Sequence, residues 1–298
     1  MPDPSSVLVQ FSDALSVLAS GARGFLAEVR SGDGQRLSGV LWKPNAVVVS
    51  EQALPEASDY EVRIADQVVK AHLAGRDEGT NVAVLRLESD IAVTLPPAIT
   101  PRLGALALAL GMGANGTAAR LAIIRSVGGA WQSLAGGTID HRITLDARIG
   151  ASEEGGPVLA ADGAIIGIST RGAGRQSLVI PTSTVDRAVG VLLEKGSVER
   201  GWLGVALRPV ALPDTLRPDA SQRIGLMVME VGTDSPAAKA GILAGDILLS
   251  AGGAAATRFG RIARQFGANS IGKTIEITLA RAGAILSSQV TITARKTA

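Results

Sequence analysis

The chain has 298 residues, and 46% of them are hydrophobic, which is enough for two domains with real cores and excludes a chain that is disordered throughout. It contains no cysteine and two histidines, so disulfides, thiolate metal sites and cysteine nucleophiles are excluded. The 29 basic and 27 acidic residues nearly cancel, and no basic run is interleaved with aromatic residues. The sequence therefore predicts no nucleic-acid partner.

The sequence also predicts no membrane span. The most apolar run, Leu103–Met112, has about half the length that a bilayer-spanning helix needs and is interpreted as a buried strand. The N-terminal residues have neither a basic region nor a long apolar region before a cleavage site, as a signal peptide would. We therefore expect a cytoplasmic protein, or a periplasmic one if a signal peptide has been removed.

Apolar residues at helical spacing (Val7, Phe11, Leu15 and Leu18) predict a helical segment within residues 1–30. Short runs of β-forming residues follow, each bounded by Gly, Pro, Asn or Asp. Those of the first set are Gly39–Trp42, Val47–Val49, Tyr60–Ile64, Val68–Ala74 and Val82–Leu87. Those of the second set are Ala105–Leu110, Ala119–Val127, Ile139–Leu145, Gly156–Ala160, Ala164–Thr170 and Gln176–Ile180. Many short strands at this spacing predict barrels or sandwiches.

Proline-rich residues 95–101 cannot continue a central strand, so they are interpreted as a linker between the two strand sets. A helix is predicted over Thr184–Lys195, with Gly196 as its C-cap. From residue 201 strands and short helices alternate, as in a compact α/β unit of ordinary domain size.

Three stretches of sequence resemble a known family. Residues 177–183 and 191–205, the latter ending in Gly201-Trp-Leu-Gly-Val205, resemble the junction between protease and PDZ domains in the HtrA/DegP family. Gly232-Thr-Asp-Ser-Pro, continuing to Leu249, resembles the PDZ part of the same family. The resemblance implies a mainly β protein with a trypsin-like double β-barrel followed by a smaller α/β PDZ-like domain. It predicts three regions: a helical segment (1–30), the barrels (31–198) and the PDZ-like domain (199–298).

Catalysis in this family depends on a Ser–His–Asp triad. The histidine slot, in Val47-Val-Val-Ser-Glu-Gln-Ala-Leu54, holds Gln52. The aspartate slot, in Thr80-Asn-Val-Ala-Val-Leu85, holds Asn81. The serine slot, in Ser152-Glu-Glu-Gly-Gly-Pro157, holds Glu154, and Ser152 stands where the family has an oxyanion-loop glycine. The sequence therefore predicts a degenerate triad, in a form called a pseudoprotease.

The chemistry of the substituted residues supports that prediction. Glutamine has no group that titrates near neutral pH, so Gln52 cannot take a proton from a hydroxyl. A relocated nucleophile at Ser152 would need a base, but His72 and His141 both lie outside the triad slot. Two arrangements stay open for the substituted slots. In one, Asn81 bonds Gln52 and the Gln52 amide donates to Glu154; in the other, the Glu154 carboxylate lies across the old substrate cleft.

The PDZ-like part predicts a peptide-binding groove. PDZ domains add a peptide as a strand beside a sheet edge and capture its terminal carboxylate with backbone amides. The resemblance assigns the carboxylate loop to Trp202, Leu203, Gly204 and Val205 and predicts an apolar pocket that includes Ile262 and Phe266.

Two functions compete. The first is a catalytically inactive HtrA-like scaffold or binding module that holds a protein partner or peptide terminus. The second is an active serine endopeptidase of the family. Two assemblies are compatible with the resemblance: a homotrimer, or a complex with an enzyme partner. Neither a cofactor nor a metal is predicted, because the Gly-rich stretches lack the context of a nucleotide site and the substituted slots offer one charged ligand.

Overall fold

The computed structural model describes residues 4–133, 135–172, 176–217, 221–267 and 270–294. They fall into two compact units, the first being Met1–Trp131 with Thr138–Val198 and the second Gln132–Gly137 with Glu199–Ala298. The helices are α1 (Pro4–Gly21), α2 (Thr182–Lys195), α3 (Pro236–Lys239) and α4 (Phe259–Ile262). No helix in the described ranges combines the length and the apolar character that crossing a membrane requires.

The strands follow closely on one another along the chain. In the first half they are β1 (Leu26–Ser31), β2 (Arg36–Lys43), β3 (Ala46–Ser50), β4 (Tyr60–Ile64), β5 (Gln67–Asp77), β6 (Val82–Leu87), β7 (Leu106–Gly113), β8 (Gly116–Gly128), β9 (Trp131–Gln132), β10 (Thr138–Ile139) and β11 (Arg142–Leu145). In the second half they are β12 (Pro157–Ala160), β13 (Ile165–Arg171), β14 (Ser177–Pro181), β15 (Gly201–Trp202), β16 (Val205–Ala211), β17 (Ile224–Val231), β18 (Ile247–Ala251), β19 (Ala254–Ala255), β20 (Thr274–Arg281), β21 (Ala284–Thr291) and β22 (Thr293–Ala294).

The first unit contains two closed antiparallel barrels. One has the strand order β1-β2-β3-β6-β5-β4 and closes through the β1–β4 pair; the other has the order β11-β14-β13-β12-β7-β8 and closes through β8 and β11. In β4 the buried residues alternate with exposed ones, as expected of a strand with one face on a core. The predicted double barrel is therefore confirmed, and residues 95–101 join β6 to β7.

The N-terminal helix is shorter than the predicted segment. It ends at Gly21, and β1 (Leu26–Ser31) begins inside the predicted segment, which ran to residue 30. The reason is tertiary: β1 pairs with both β2 and β4, so without it the first barrel would stay open. Leu15 and Leu18 of α1 pack on the barrel core, whereas Leu8 and Val17 are exposed.

Helix α2 follows β14 and packs on β5 and β6. It ends as predicted at Gly196, whose left-handed backbone (φ 74°) forms the C-cap. Its buried face includes Val185, Val189 and Leu192, which join the core shared by both barrels.

The second unit has its own core under a sheet of order β16-β17-β18-β20-β21. The short helix α3 begins at Ser235, whose side chain accepts a hydrogen bond from the N–H of Ala238 (3.0 Å). Strand β16 is one edge of the sheet and β21 the other. An edge strand presents unpaired N–H and C=O groups to which a peptide can add.

Candidate functional site

The residues that the sequence predicts for the triad slots, Gln52, Asn81 and Glu154, come together between the two barrels of the first unit. Gln52 lies in the single helical turn after β3, and Asn81 immediately precedes β6. Glu154 comes from the second barrel, in the turn before β12. Residues separated by about a hundred positions in sequence are thus brought within hydrogen-bonding distance.

The Glu154 carboxylate is the centre of the cluster. Its side chain is 1% exposed. One oxygen accepts from Gln52 Nε2 (2.6 Å) and from Ser50 Oγ (3.3 Å), and the other accepts from Arg171 Nε. A buried carboxylate requires this kind of pairing, because an isolated buried charge is costly. The side-chain amide of Gln52 thus donates to Glu154, as the first of the two expected arrangements requires.

Gln52 donates hydrogen bonds from both its side-chain amide and its backbone N–H. Besides Glu154, its side-chain amide reaches Thr170 Oγ1 (3.0 Å) and the carbonyl oxygen of Arg171 (2.9 Å). Its backbone N–H donates to Asn81 Oδ1 (2.8 Å). The expected Gln52–Asn81 contact is therefore present, but it uses the main chain of Gln52 rather than its side chain.

The cluster includes residues that sequence reasoning missed. Asn81 Nδ2 donates to Ser50 Oγ (3.0 Å) and to Thr170 Oγ1 (2.5 Å), and Arg171 pairs with Glu154. No sequence motif singles out Ser50, Thr170 or Arg171, and polar residues of these types are common at strand ends. No local signal marks them; only the approach of β3 and β13 across the two barrels makes them neighbours.

The loop of residues 150–155, which would stabilise an oxyanion in an active enzyme, does not have all of its backbone N–H groups free to donate to a substrate. A trypsin-like enzyme aims two backbone N–H groups of this loop at the developing negative charge. Here the N–H of Glu154 donates to the carbonyl oxygen of Gly150 (3.1 Å). Ser152, in the glycine slot, is not among the residues with positive φ, and its carbonyl oxygen accepts from Ser38 Oγ (2.6 Å). One of the two amides is therefore already used inside the protein.

The neighbouring Glu153 helps to hold this loop. Its carboxylate is buried, pairs with Arg120 (3.0 Å) and accepts from the N–H of Gly150 (2.8 Å). Gly155 follows with φ 85°, and a Cβ placed there would lie 2.4 Å from the carbonyl oxygen of Ser38. Glycine is required at that position for both its conformation and its size.

Neither histidine takes part in the cluster. His72 lies on β5 and is exposed, and His141, just before β11, is half-buried. Among the described residues, the polar partners of Gln52, Asn81 and Glu154 include no histidine. The described part of the chain likewise holds no group of three or more His, Asp or Glu side chains suited to a metal ion.

In the second unit, the predicted carboxylate loop has the backbone of an anion-binding turn. Gly204 has φ 83°, and a Cβ there would lie 2.2 Å from that of Ser235, so only glycine fits. Within the described residues, the N–H groups of Leu203 and Gly204 have no hydrogen-bond partner. Two unpaired amides in a turn form the kind of concavity that holds an anion.

The side chains predicted to form the apolar pocket differ in their burial. Leu203 and Ile262 are 6% and 0% exposed and belong to the core of the second unit. Packing of α4 and of the loop onto the sheet covers both side chains, whereas the backbone N–H of Leu203 has no partner among the described residues. Val205 and Phe266 are half-buried against that core, as is Leu207 on β16. Trp202 packs its indole ring near Gly204 and Gly232.

Comparisons with known proteins agree with this architecture. Residues 37–168 match the trypsin-like peptidase domain family, and residues 201–292 match the PDZ domain family. A Brucella suis protein named "Probable periplasmic serine endoprotease DegP-like" is 31% identical over 227 residues, which cover 72% of this chain and 44% of the relative. A Bartonella henselae protein of the same name is 29% identical over 297 residues (94% and 54%). The chain thus spans about half the length of the curated relatives it matches.

Solved structures give the same result. The serine endoprotease from Yersinia pestis superposes with a TM-score of 0.72 at 26% identity, covering 94% of this chain and 97% of that one. The HtrA-type protease AlgW with tripeptide superposes with a TM-score of 0.71 at 26% identity, covering 97% and 98%. With its trypsin-like peptidase fold followed by a PDZ domain, the chain belongs to the HtrA/DegP family.

Proposed function

We propose that this chain is a catalytically inactive HtrA-family protein that acts as a scaffold or binding module. The observation that carries the proposal is the cluster of Gln52, Asn81 and Glu154 in the three triad slots. A triad needs a base that can accept the nucleophile's proton, and an amide cannot do so. Glu154 is also engaged by three donors, which makes its carboxylate a poor nucleophile.

The position of the loop supports the same proposal. The N–H of Glu154 is bonded to Gly150 instead of being available to an oxyanion. Losing one such donor alone costs an acyl-transfer enzyme about 10²–10³-fold in rate. The alternative is an active serine endopeptidase, and it is favoured by the names of the curated relatives, all "serine endoprotease".

Proteolysis of an unfolded casein-type substrate, run beside labelling with a fluorophosphonate probe for reactive serines, separates the two functions. The natural chain is expected to be silent in both assays. The comparison is the Gln52→His, Asn81→Asp, Glu154→Ser triple variant, for which gained activity would indicate a framework that still supports catalysis. Cleavage and labelling by the natural chain would overturn the proposal, and loss of both in Ser152→Ala would then identify Ser152 as the nucleophile.

We further propose that the PDZ domain captures the C-terminus of a peptide or protein. The unpaired N–H groups of Leu203 and Gly204 support binding of a terminal carboxylate, and the free edge of β16 supports addition of a strand. The half-buried side chains of Val205, Leu207 and Phe266 offer apolar contact beside that edge. The tripeptide named in the AlgW structure is consistent with peptide binding in a relative.

Calorimetric titration with short peptides that end in an apolar residue tests this binding. A free terminal carboxylate is expected to bind, and the same peptide with an amidated terminus is expected to bind much more weakly. Leu207→Ser should weaken binding, whereas Leu286→Ser, the same change at an exposed site on the opposite edge strand β21, should leave it unchanged. Equal binding of the free and amidated peptides would contradict terminal capture.

The location and assembly are also proposals. The names of the curated relatives include "periplasmic", which supports the periplasmic expectation over the cytoplasmic one. Assembly as a homotrimer, or with an enzyme partner, remains a prediction for which the exposed apolar side chains of α1, such as Leu8 and Val17, are the available surface.

A further inference from the structure

Two adjoining cavities open beside the substituted triad, both within the first unit. The first has a volume of about 540 Å³ and is lined by Gln52, Arg148, Ile149, Arg171, Gly172, Gln176 and Ser177. The second, of about 510 Å³, shares Arg148, Gln176 and Ser177 with the first and extends along β8 and β11. The shared residues make the two cavities parts of one continuous depression.

The lining of this depression is strongly basic. Arg148 and Arg171 line the first cavity, and Arg125, Arg142 and Arg148 line the second. The acidic side chain in the lining is Asp146, whose Oδ1 accepts a hydrogen bond from the N–H of Ile123 (2.6 Å). Four guanidinium groups around a concave surface create a positive potential that attracts anions.

Two of these arginines are held in place by contacts of their own. Arg171 donates a hydrogen bond from Nε to the carboxylate of the buried Glu154. This bond orients the guanidinium group and leaves its two terminal nitrogens for a ligand. Arg142 lies 5.4 Å from the centre of the Trp131 ring and donates to Gln176 Oε1 (3.0 Å). Oriented guanidinium groups bind carboxylates with less loss of conformational freedom.

The other two arginines have no acidic partner in the part of the chain that the structure describes. Arg125 and Arg148 are exposed, and neither forms an ion pair with any residue that the structure describes. Other cations of this unit do have such partners: Arg30 pairs with Glu28 and Arg187 with Asp140. Unpaired guanidinium groups at a cavity wall are suited to charge-assisted hydrogen bonds with an added carboxylate.

We propose that this depression binds an acidic segment of a polypeptide, with carboxylate side chains reaching Arg148 and Arg171 in the first cavity and Arg125 and Arg142 in the second. Arginines distributed over two connected cavities fit several carboxylates spaced along a chain better than one small anion. The site lies in the barrels and not in the PDZ domain, so it adds a second, independent binding surface to the proposed function. Glu154, in the serine slot, serves this site as a positioning residue for Arg171.

The test uses the full chain and a peptide of alternating glutamate and alanine, acetylated and amidated so that it has no terminal carboxylate for the PDZ domain. Isothermal titration calorimetry is run against this peptide and against the same peptide with glutamine in place of glutamate. The glutamate peptide is expected to bind, and its affinity should fall as salt is added. The Arg148→Gln and Arg125→Gln variants should each weaken binding by about tenfold, the usual loss for one charge-assisted contact.

Arg23→Gln, which removes an exposed arginine at the start of the first barrel, is the matched control and should leave binding unchanged. Equal thermal unfolding of the three variants shows that they are folded. The proposal is overturned by equal binding of the glutamine peptide, by undiminished binding to Arg148→Gln, or by no binding of the glutamate peptide. Leu207→Ser distinguishes the two proposals, because it should weaken PDZ binding of a free terminus and leave the glutamate peptide unaffected.

Discussion

At the scale of single residues, Gln52, Asn81 and Glu154 belong to one compact hydrogen-bonded cluster and are not loosely placed side chains. Glu154 is buried with three donors, and Gln52 and Asn81 share Thr170 as a partner. Buried polar groups that satisfy one another in this way stabilise one arrangement of a core, while each would be costly alone. The same contacts that stabilise the cluster occupy the atoms on which catalysis would depend.

Restoring the triad should therefore restore little activity while Ser152 remains. In the Gln52→His, Asn81→Asp, Glu154→Ser background, Ser152→Gly should raise the rate of substrate cleavage by about 10²-fold, the usual value of one oxyanion donor. Glycine allows the loop to adopt backbone angles that turn its amides outward. Ser152→Ala in the same background is the control and should give no such gain. Equal rates for the two variants would show that the backbone of residue 152 is not what limits the site.

At the scale of elements, the turn from Gly150 to Gly155 is held by its approach to the first barrel. Ser38 on β2 donates to the carbonyl oxygen of Ser152 and accepts from the N–H of Met112 on β7 (2.7 Å). One serine thus ties the turn to a strand of each barrel. A change in this turn is expected to disturb the packing between barrels and not only the local loop.

Two glycine variants, Gly155→Ala and Gly34→Ala, distinguish the cost of a positive φ from the cost of a steric clash with the new Cβ. Both glycines have φ 85°, but a Cβ at Gly155 meets Ser38 at 2.4 Å, whereas a Cβ at Gly34 meets nothing within 4 Å. Gly34→Ala should lower the free energy of unfolding by about 1 kcal/mol, from conformational strain alone. Gly155→Ala should lower the free energy of unfolding by clearly more, because the backbone at Ser38 must also move. Chemical denaturation of the first unit measures both, and equal losses would contradict the close approach.

At the scale of the whole molecule, each compact unit has its own hydrophobic core. In the second unit Asp246, just before β18, is 2% exposed and pairs with Arg281 at the end of β20 (2.7 Å). Burial by itself would raise the pKa of the Asp246 carboxyl. Hydrogen bonds from Arg281 and from the N–H of Leu243, together with the charge of Arg281, outweigh burial and hold this pKa below its usual value.

The stability of the second unit should therefore depend on pH in the acid range. A carboxyl whose pKa is lower in the folded than in the unfolded state stabilises the fold above the unfolded pKa, about 3.9 for aspartate. That contribution is lost as the pH falls through the folded pKa. Asp246→Asn should lower the unfolding free energy at neutral pH by about 1–3 kcal/mol, as expected for lost charge-assisted hydrogen bonds. The difference from the natural chain should shrink in acid.

Thermal unfolding between neutral and acid pH checks this dependence. Asp234→Asn is the matched control, because Asp234 is exposed and asparagine tolerates its left-handed backbone (φ 56°). The transition of the first unit should not move in either variant. A difference between Asp246→Asn and the natural chain that stays constant down to strongly acid pH would contradict the role of the ionised carboxylate.

The sequence by itself determined the architecture and predicted which residues occupy the triad slots. Period-two patterns and turn residues are local, so they predict strands such as β4 and the capped helix α2 without knowledge of the fold. The motifs around Gln52, Asn81 and Glu154 are also local in sequence, so the prediction that these residues occupy the triad slots needs no knowledge of the fold. The sequence does not predict strand β1. Its role is to close the first barrel, and no local sequence pattern indicates such a role.

Only the tertiary structure decided how these residues meet and what surrounds them. Ser50, Thr170 and Arg171 join the cluster because strands from two barrels converge, and sequence distance hides such contacts. The burial of Leu203 and Ile262 depends in the same way on how the loop and α4 pack on the sheet. The basic depression gathers arginines from β8, β11, the loop after β11 and the end of β13, and these arginines form no run in the sequence. Side-chain chemistry is encoded residue by residue, but its combination into a site depends on which chain segments the closed barrels bring together.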